Sequence, residues 1–187
     1  EYYRTAAWRG TPSLDGGGAL MNQGIHTVDL LLYLLGDVTA VQARAATTLH
    51  EIAVEDTLVA TMEFASGAIG TLQATTAAYP GYPRRVEITG TEGTVLLEHD
   101  RIAGWDLRSG HVEGTTLTSA TRSASTAVVA DASPHRRVVE DFVEALQARR
   151  RPACDAREGR RSVALAEALY ASARSGNRTV VEPLAEP

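Results

Sequence analysis

Between Val38 and Leu107 the chain runs through six strand-like segments with no helical stretch among them, and this succession excludes most folds. The segments are Val38 to Thr48, Thr57 to Phe64, Ala68 to Ala77, Arg85 to Thr89, Thr94 to Glu98 and Ile102 to Leu107. Ala65-Ser66-Gly67 joins the second and third as a hairpin, and Gly-containing turns separate the later ones. Short strands joined by tight turns imply a mainly antiparallel sheet, not an alternation of strands and helices. Helical patterns flank this block. A strongly apolar helix is expected from Ala19 to Leu35, stopped by Gly36. After the block, Ser133-Pro134 reads as an N-cap and first helical residue. The helix it opens carries Val138, Val139, Phe142, Val143 and Leu146 on one face. Another follows Asp155 with Val163, Leu165, Leu169 and Tyr170.

The remaining segments are less strongly patterned. The first eight residues, rich in Tyr and Trp, read as a strand, and Arg9 to Gly18 as a loop. Ser109 to Ala132, rich in Ser, Thr and Ala, reads as an excursion or an edge strand. Thr179 to Glu182 reads as a final strand before a frayed tail. With 187 residues, no internal repeat and no clear linker, residues 1–187 are expected to form one α+β domain.

Composition removes several classes of function. The formal net charge is -5, with the two signs interspersed, which lacks the concentrated basic face that nucleic acid requires. Arg149-Arg150-Arg151 forms a local basic run, read as the solvated end of a helix. No apolar run approaches the roughly 18 residues of a membrane span, and Glu1-Tyr2-Tyr3-Arg4 lacks a signal-peptide pattern; a cytoplasmic protein is expected. The single cysteine, Cys154, excludes an internal disulfide and offers no metal-ligand spacing; it reads as a small packed residue. Every basic residue other than histidine is arginine. The absence of lysine excludes Schiff-base chemistry, a P-loop lysine and a lysine acid or base in cis.

Gly16-Gly17-Gly18 precedes the first helix and superficially suggests a phosphate loop. The spacing is not G-x-G-x-x-G and no βαβ unit follows, so the glycines read as backbone freedom in a crowded loop. No cofactor site is expected in this chain.

The chemistry concentrates between Asp15 and Leu31. On a helix, Asn22, His26, Asp29 and Tyr33 fall within a band about 60° wide, one polar stripe on an otherwise apolar helix. Such a stripe is expected to face a cleft or buried polar contacts, where Asn and Asp neighbours would fix a histidine tautomer. A solvent face, or a core network holding helix to sheet, fits the same spacing. A single good nitrogen ligand argues against a metal site. Glu55-Asp56 reads as a solvated turn at a strand start.

Several segments together resemble the Gfo/Idh/MocA oxidoreductase family. They are Trp8-Arg9-Gly10-Thr11, the run Gly16 to Asp29, Tyr79 to Gly93, Glu158 to Val163, and Tyr170-Ala171-Ser172-Ala173-Arg174. The resemblance covers nearly the whole chain but only that family's C-terminal domain. It implies a large, open, mainly antiparallel sheet with helices on one face, of the type seen in the C-terminal domain of glyceraldehyde-3-phosphate dehydrogenase. The other face is commonly used for association, so a homo-oligomer through the sheet is expected. It also implies an N-terminal Rossmann domain, absent from this chain, that holds NAD or NADP and supplies a Glu-Lys-Pro lysine. The isolated 187 residues are therefore expected to be inactive.

By this resemblance His26 takes the catalytic position, as base toward a substrate hydroxyl whose carbon gives up hydride to the nicotinamide. The substrate class is a sugar, polyol or sugar derivative. Asn22 stands where many members have an aspartate, so its expected role is a hydrogen bond to substrate. Trp8 and Arg9 would line the pocket, Tyr79 and Tyr82 sit in a Pro-rich turn directed at substrate, and Asp29 orients. The alternative reading is a non-catalytic binding or dimerisation module that uses the sheet face.

Overall fold

Strict alternation of buried and exposed residues along Thr57–Phe64 fixes which side of this strand carries the core. Leu58, Ala60, Met62 and Phe64 are buried while Val59, Thr61 and Glu63 face outward. The computed structural model describes residues 2–99, 101–111 and 132–183. They divide into two compact units, Glu1–Ala77 with Asp131–Pro187, and Ala78–Ala130.

The first unit contains β1 (Val38–Ala46), β2 (Thr57–Phe64), β3 (Ile69–Thr75) and β8 (Thr179–Val180), ordered β3-β2-β1-β8 with antiparallel pairing throughout. A short helix, α1 (Pro12–Asp15), precedes a π-helical turn (Leu20–Gly24) that runs into α2 (Ile25–Leu35). Two longer helices follow, α3 (Ser133–Ala148) and α4 (Ala156–Ser175). Helix α4 packs on β1, α2 packs on α4, and the π turn meets β3. Leu20, Val28, Leu165 and Leu169 are wholly buried between helices and sheet. Ser172, also buried, donates to Asn177 O (2.6 Å) and accepts from Ala43 N (2.9 Å), pinning the end of α4 to β1.

The second unit is an antiparallel meander of β4 (Arg85–Gly90), β5 (Gly93–Glu98), β6 (Arg101–Leu107) and β7 (Gly110–His111), in that order. The α+β class and its antiparallel pairing follow the expected pattern, and each unit holds one four-stranded ladder.

Local departures have identifiable causes. Residues 2–8 are not a strand: Tyr2–Arg4 is a 3-10 turn followed by further turns. Thr5 Oγ1 donates to Tyr2 O (2.8 Å), and Arg9 donates to both Tyr2 O (3.1 Å) and Thr5 Oγ1 (2.9 Å). These local bonds take the polar groups that a ladder would need. The first helical turn after Ala19 is π rather than α. Helix α3 is preceded by Ala132 as its cap position, with Ser133 inside the helix. Its apolar residues Val138, Val139, Phe142, Val143 and Leu146 are exposed, and Ala145 is buried. Cys154 is exposed rather than packed. The stretch 112–131, within the Ser/Thr/Ala-rich segment, lies outside the described residues.

Candidate functional site

The helix that carries Asn22 and His26 begins without a side-chain cap of its own. The first amides of a helix lack intrahelical acceptors, so something else must supply them. Residue 55 does so. Glu55 Oε2 accepts from Gly18 N (3.0 Å), Oε1 accepts from Leu20 N (2.9 Å), and the Glu55 carbonyl accepts from Ala19 N (3.0 Å). Tyr170 on α4 donates to Glu55 Oε1 (2.9 Å) and accepts from Gly18 N (3.3 Å). Burial, then the adjacent Glu55 charge, pushes the Tyr170 phenol well above its ordinary range, so it remains a donor at physiological pH.

This packing explains the glycine triplet. A Cβ on Gly18 would lie 1.7 Å from the Glu55 carbonyl oxygen, and one on Gly17 would lie 2.3 Å from the Tyr170 hydroxyl. The expectation of a crowded loop holds.

The neighbouring Asp56 is a second hub. Fully buried, it accepts from the backbone N–H of Leu49 (2.7 Å), Thr48 (2.9 Å to each oxygen) and His50 (3.0 Å). The hydroxyls of Thr48 (3.0 Å) and Thr57 (3.1 Å) also donate to it. Burial alone would raise the carboxyl; the bonds from Leu49, His50 and Thr48 outweigh it and hold Asp56 well below the usual carboxylate range. Glu55-Asp56 is therefore not a solvated turn. The two carboxylates are buried because each ends a set of loop amides, those of Gly18 and Leu20 for Glu55 and those of Thr48 to His50 for Asp56. Beside Asp56, His50 Nε2 lies 3.1 Å from Thr76 O, and its ring is 4.9 Å from that of Tyr3.

The polar stripe divides by role. Asn22 turns back along the chain and donates to Gly17 O (3.0 Å) and Gly18 O (3.3 Å). Asp29 accepts from Ser162 Oγ (2.8 Å), tying α2 to α4. Tyr33 is 83% exposed. His26 is exposed, and its ring makes no hydrogen bond or ion pair among the described residues. The expectation that Asn22 and Asp29 would fix its tautomer is not met, because both already serve the backbone and α4.

The other expected site residues are spread wider. Arg9 lies over the Tyr2 ring (4.0 Å) and near Trp8 (5.3 Å), and its buried Nε has no partner. Trp8 is 45% exposed. Tyr79 and Tyr82 belong to the second unit and are both exposed. A cavity of about 700 Å³ lies instead around the end of α2 and the start of α4, lined by Leu32, Asp37, Arg157, Arg161 and Val181 among others. None of the stripe residues lines it. Arg161 bridges Asp37 (2.7 Å) and Glu158 there, closing α4 onto the end of α2. Among the described residues no group of three or more His, Cys, Asp or Glu is arranged to hold a metal. No helix among them is long and apolar enough to cross a membrane.

The profile of the GFO/IDH/MocA C-terminal domain matches residues 1–96, just over half of the chain. The chain belongs to this family. The WlbA dehydrogenase of Bordetella pertussis, solved in complex with NADH and UDP-GlcNAcA, is 34% identical with a TM-score of 0.80. That alignment covers 98% of this chain and 51% of the other. D-apiose dehydrogenase of Paraburkholderia graminis is 29% identical over 161 residues, covering 84% of this chain and 43% of that protein. Myo-inositol 2-dehydrogenase of Thermotoga maritima is 30% identical over 99 residues, covering 48% of this chain and 30% of that protein. The chain thus spans about half or less of the length of these relatives.

Sequence reasoning missed Glu55 and Asp56. Their signal was present in part: Asp56 is in phase with the buried Leu58, Ala60, Met62 and Phe64, so alternation places its side chain inward.

Proposed function

We propose that this chain is the substrate-side domain of an NAD(P)-dependent oxidoreductase acting on a sugar, polyol or sugar derivative. His26 is its proton-transfer group. One observation carries the reading: His26 stands exposed and unpartnered among the described residues, while Asn22 and Asp29 on the same helix are engaged structurally. An imidazole has an ordinary pKa near neutrality, which suits a base that takes an alcohol proton in one direction and returns it in the other. Arg9, whose guanidinium lies over the Tyr2 ring and beside Trp8, and the half-exposed Trp8 ring are assigned to substrate oxygens and an apolar sugar face. Membership of the family and the dehydrogenases aligned above support the assignment.

The residues present do not fit a dinucleotide. The Gly16–Gly18 loop is filled by Glu55 and Tyr170, and a pyrophosphate at that helix start would meet a buried carboxylate. The cofactor, NAD or NADP, is assigned to an N-terminal Rossmann half in a longer protein, and the 187 residues alone are expected to be inactive.

The test is His26→Ala in the protein carrying that half, assayed by NADH formation with UDP-GlcNAcA, D-apiose and myo-inositol. Turnover of at least one by the wild type, lost in the variant with NADH binding and assembly retained, is the expected result. Unchanged turnover in the variant would remove His26 from the mechanism.

Self-association is assigned to the outward face of β1–β3, where exposed Gln42, Thr61 and Thr71 form one row across three strands. It is the feature that favours the alternative of an assembly module. Light scattering on Thr61→Glu distinguishes the cases: a smaller species than wild type supports the face, and an unchanged mass refutes it.

A further inference from the structure

We propose that Glu55, held by Tyr170, is a positioning residue for His26: it fixes where the helix bearing the histidine begins. This rests on the reading of His26 as the proton-transfer group. Three successive amides, those of residues 18, 19 and 20, all end on residue 55, two on its carboxylate and one on its carbonyl. Asn22, one turn before His26, then donates to the carbonyls of Gly17 and Gly18. A continuous set of bonds therefore runs from the strand-side carboxylate through the glycine loop to the turn that presents His26.

Ordinary helix initiation does not need this arrangement. A local Ser, Thr, Asp or Asn cap satisfies the same amides. Here a carboxylate is buried at the helix start, where desolvation opposes it. The loop must also be glycine at positions 17 and 18 to let Glu55 and Tyr170 approach. A negative group complements the positive end of the helix, and the Tyr170 hydroxyl fixes one of its oxygens. The carboxylate stands just before β2 and is bonded to α4 as well as to the first amide of the helix it starts, so it references His26 to the rigid core. That is what a proton-transfer group needs, since a displacement of about 1 Å costs on the order of a hundredfold in rate.

Glu55→Gln presents an amide NH2 to one of the two N–H groups and loses that bond. Three variants of the full-length protein test the proposal: Glu55→Gln, Tyr170→Phe, and Glu55→Gln combined with His26→Ala. Turnover is followed with whichever substrate the His26 test has shown to be used. Glu55→Gln is expected to lower kcat about tenfold to a hundredfold with KM and NADH affinity within about threefold of wild type. Tyr170→Phe is expected to fall between this variant and wild type. In the His26→Ala background, Glu55→Gln is expected to cause no further loss, because it acts through the histidine.

A fully active Glu55→Gln beside an inactive His26→Ala overturns this proposal and leaves the function standing; an active His26→Ala overturns the function itself. An equal further loss in the His26→Ala background reduces Glu55 to general stability and also overturns the proposal. Amide hydrogen exchange needs no substrate: faster exchange across residues 17–26 in Glu55→Gln, with 57–64 unchanged, is expected. Unchanged exchange at 17–26 refutes the proposal.

Discussion

Replacing Asp56 by asparagine tests whether buried carboxylates organise this fold. The Oδ2 atom of Asp56 accepts three backbone amides, from Thr48, Leu49 and His50, at 2.9, 2.7 and 3.0 Å. These donors constrain the replacement: in the favourable orientation of the Asp56→Asn side chain, the amide oxygen faces all three. The new NH2 then faces the hydroxyls of Thr48 and Thr57, which can rotate to accept, and the Thr48 N–H, which loses one of its two acceptors and keeps the amide oxygen. The geometry survives while the charge is lost. A hydrogen bond to a charged group contributes about 1.5–3 kcal/mol against about 0.5–1.5 for a neutral one, so three weakened bonds cost about 3 kcal/mol. At this chain length that is a fall in Tm of about 6–12 °C. The pH dependence fixes the cause. The folded carboxyl is held below its unfolded value, so its stabilisation is present above the ordinary aspartate range and is lost as pH falls through and below it. Thermal unfolding of both proteins between neutral pH and pH about 3 should show a wide gap that narrows toward acid. An equal Tm at neutral pH, or a gap independent of pH, would refute the reasoning.

Three further outcomes follow from the packing. Gly18→Ala places a methyl 1.7 Å from the Glu55 carbonyl oxygen and is expected to cost at least about 3 kcal/mol, read by urea unfolding. Leu169→Ala, in the wholly buried core, should cost about 2–5 kcal/mol, whereas Phe142→Gln on the exposed face of α3 should stay within about 0.5 kcal/mol of wild type in the same assay. Asn22→Asp removes two donated bonds and sets a carboxylate against two carbonyls, for a net loss of about 1–2 kcal/mol at neutral pH that shrinks on acidification.

The elements with a single dominant periodicity were the ones legible in sequence. Thr57–Phe64 falls on the expected residues because alternate positions are apolar and the hairpin glycine ends it, with Gly67 donating to Phe64 O (2.9 Å). Where tertiary partners decide, local pattern was insufficient. Tyr2–Arg4 looked like a strand because aromatic residues favour one, yet Arg9 and Thr5 close it into a turn. The apolar stripe of α3 has the spacing of a core face, and spacing does not state what covers it. Asp56 lay in phase with the core residues of its strand, but a carboxylate is read as exposed until its donors are known. Those donors sit six to eight residues earlier, at Thr48 to His50. Glu55 is harder still, because its partners, Gly18, Leu20 and Tyr170, are 35 to 115 residues away.

The same division explains Asn22. Set beside the aspartate of many family members, it looks like a catalytic acid that has lost its charge. In the fold its side chain is a donor to two carbonyls, a task an ionised aspartate cannot perform. Those carbonyls belong to Gly17 and Gly18, the loop that Glu55 and Tyr170 hold from the other side. An asparagine here thus suits a loop whose amides are already held by the Glu55 carboxylate and whose carbonyls need a donor. With Asn22 fastening the turn and Asp29 fastening α2 to Ser162, His26 is left exposed and unpartnered among the described residues, the condition on which its proposed role rests.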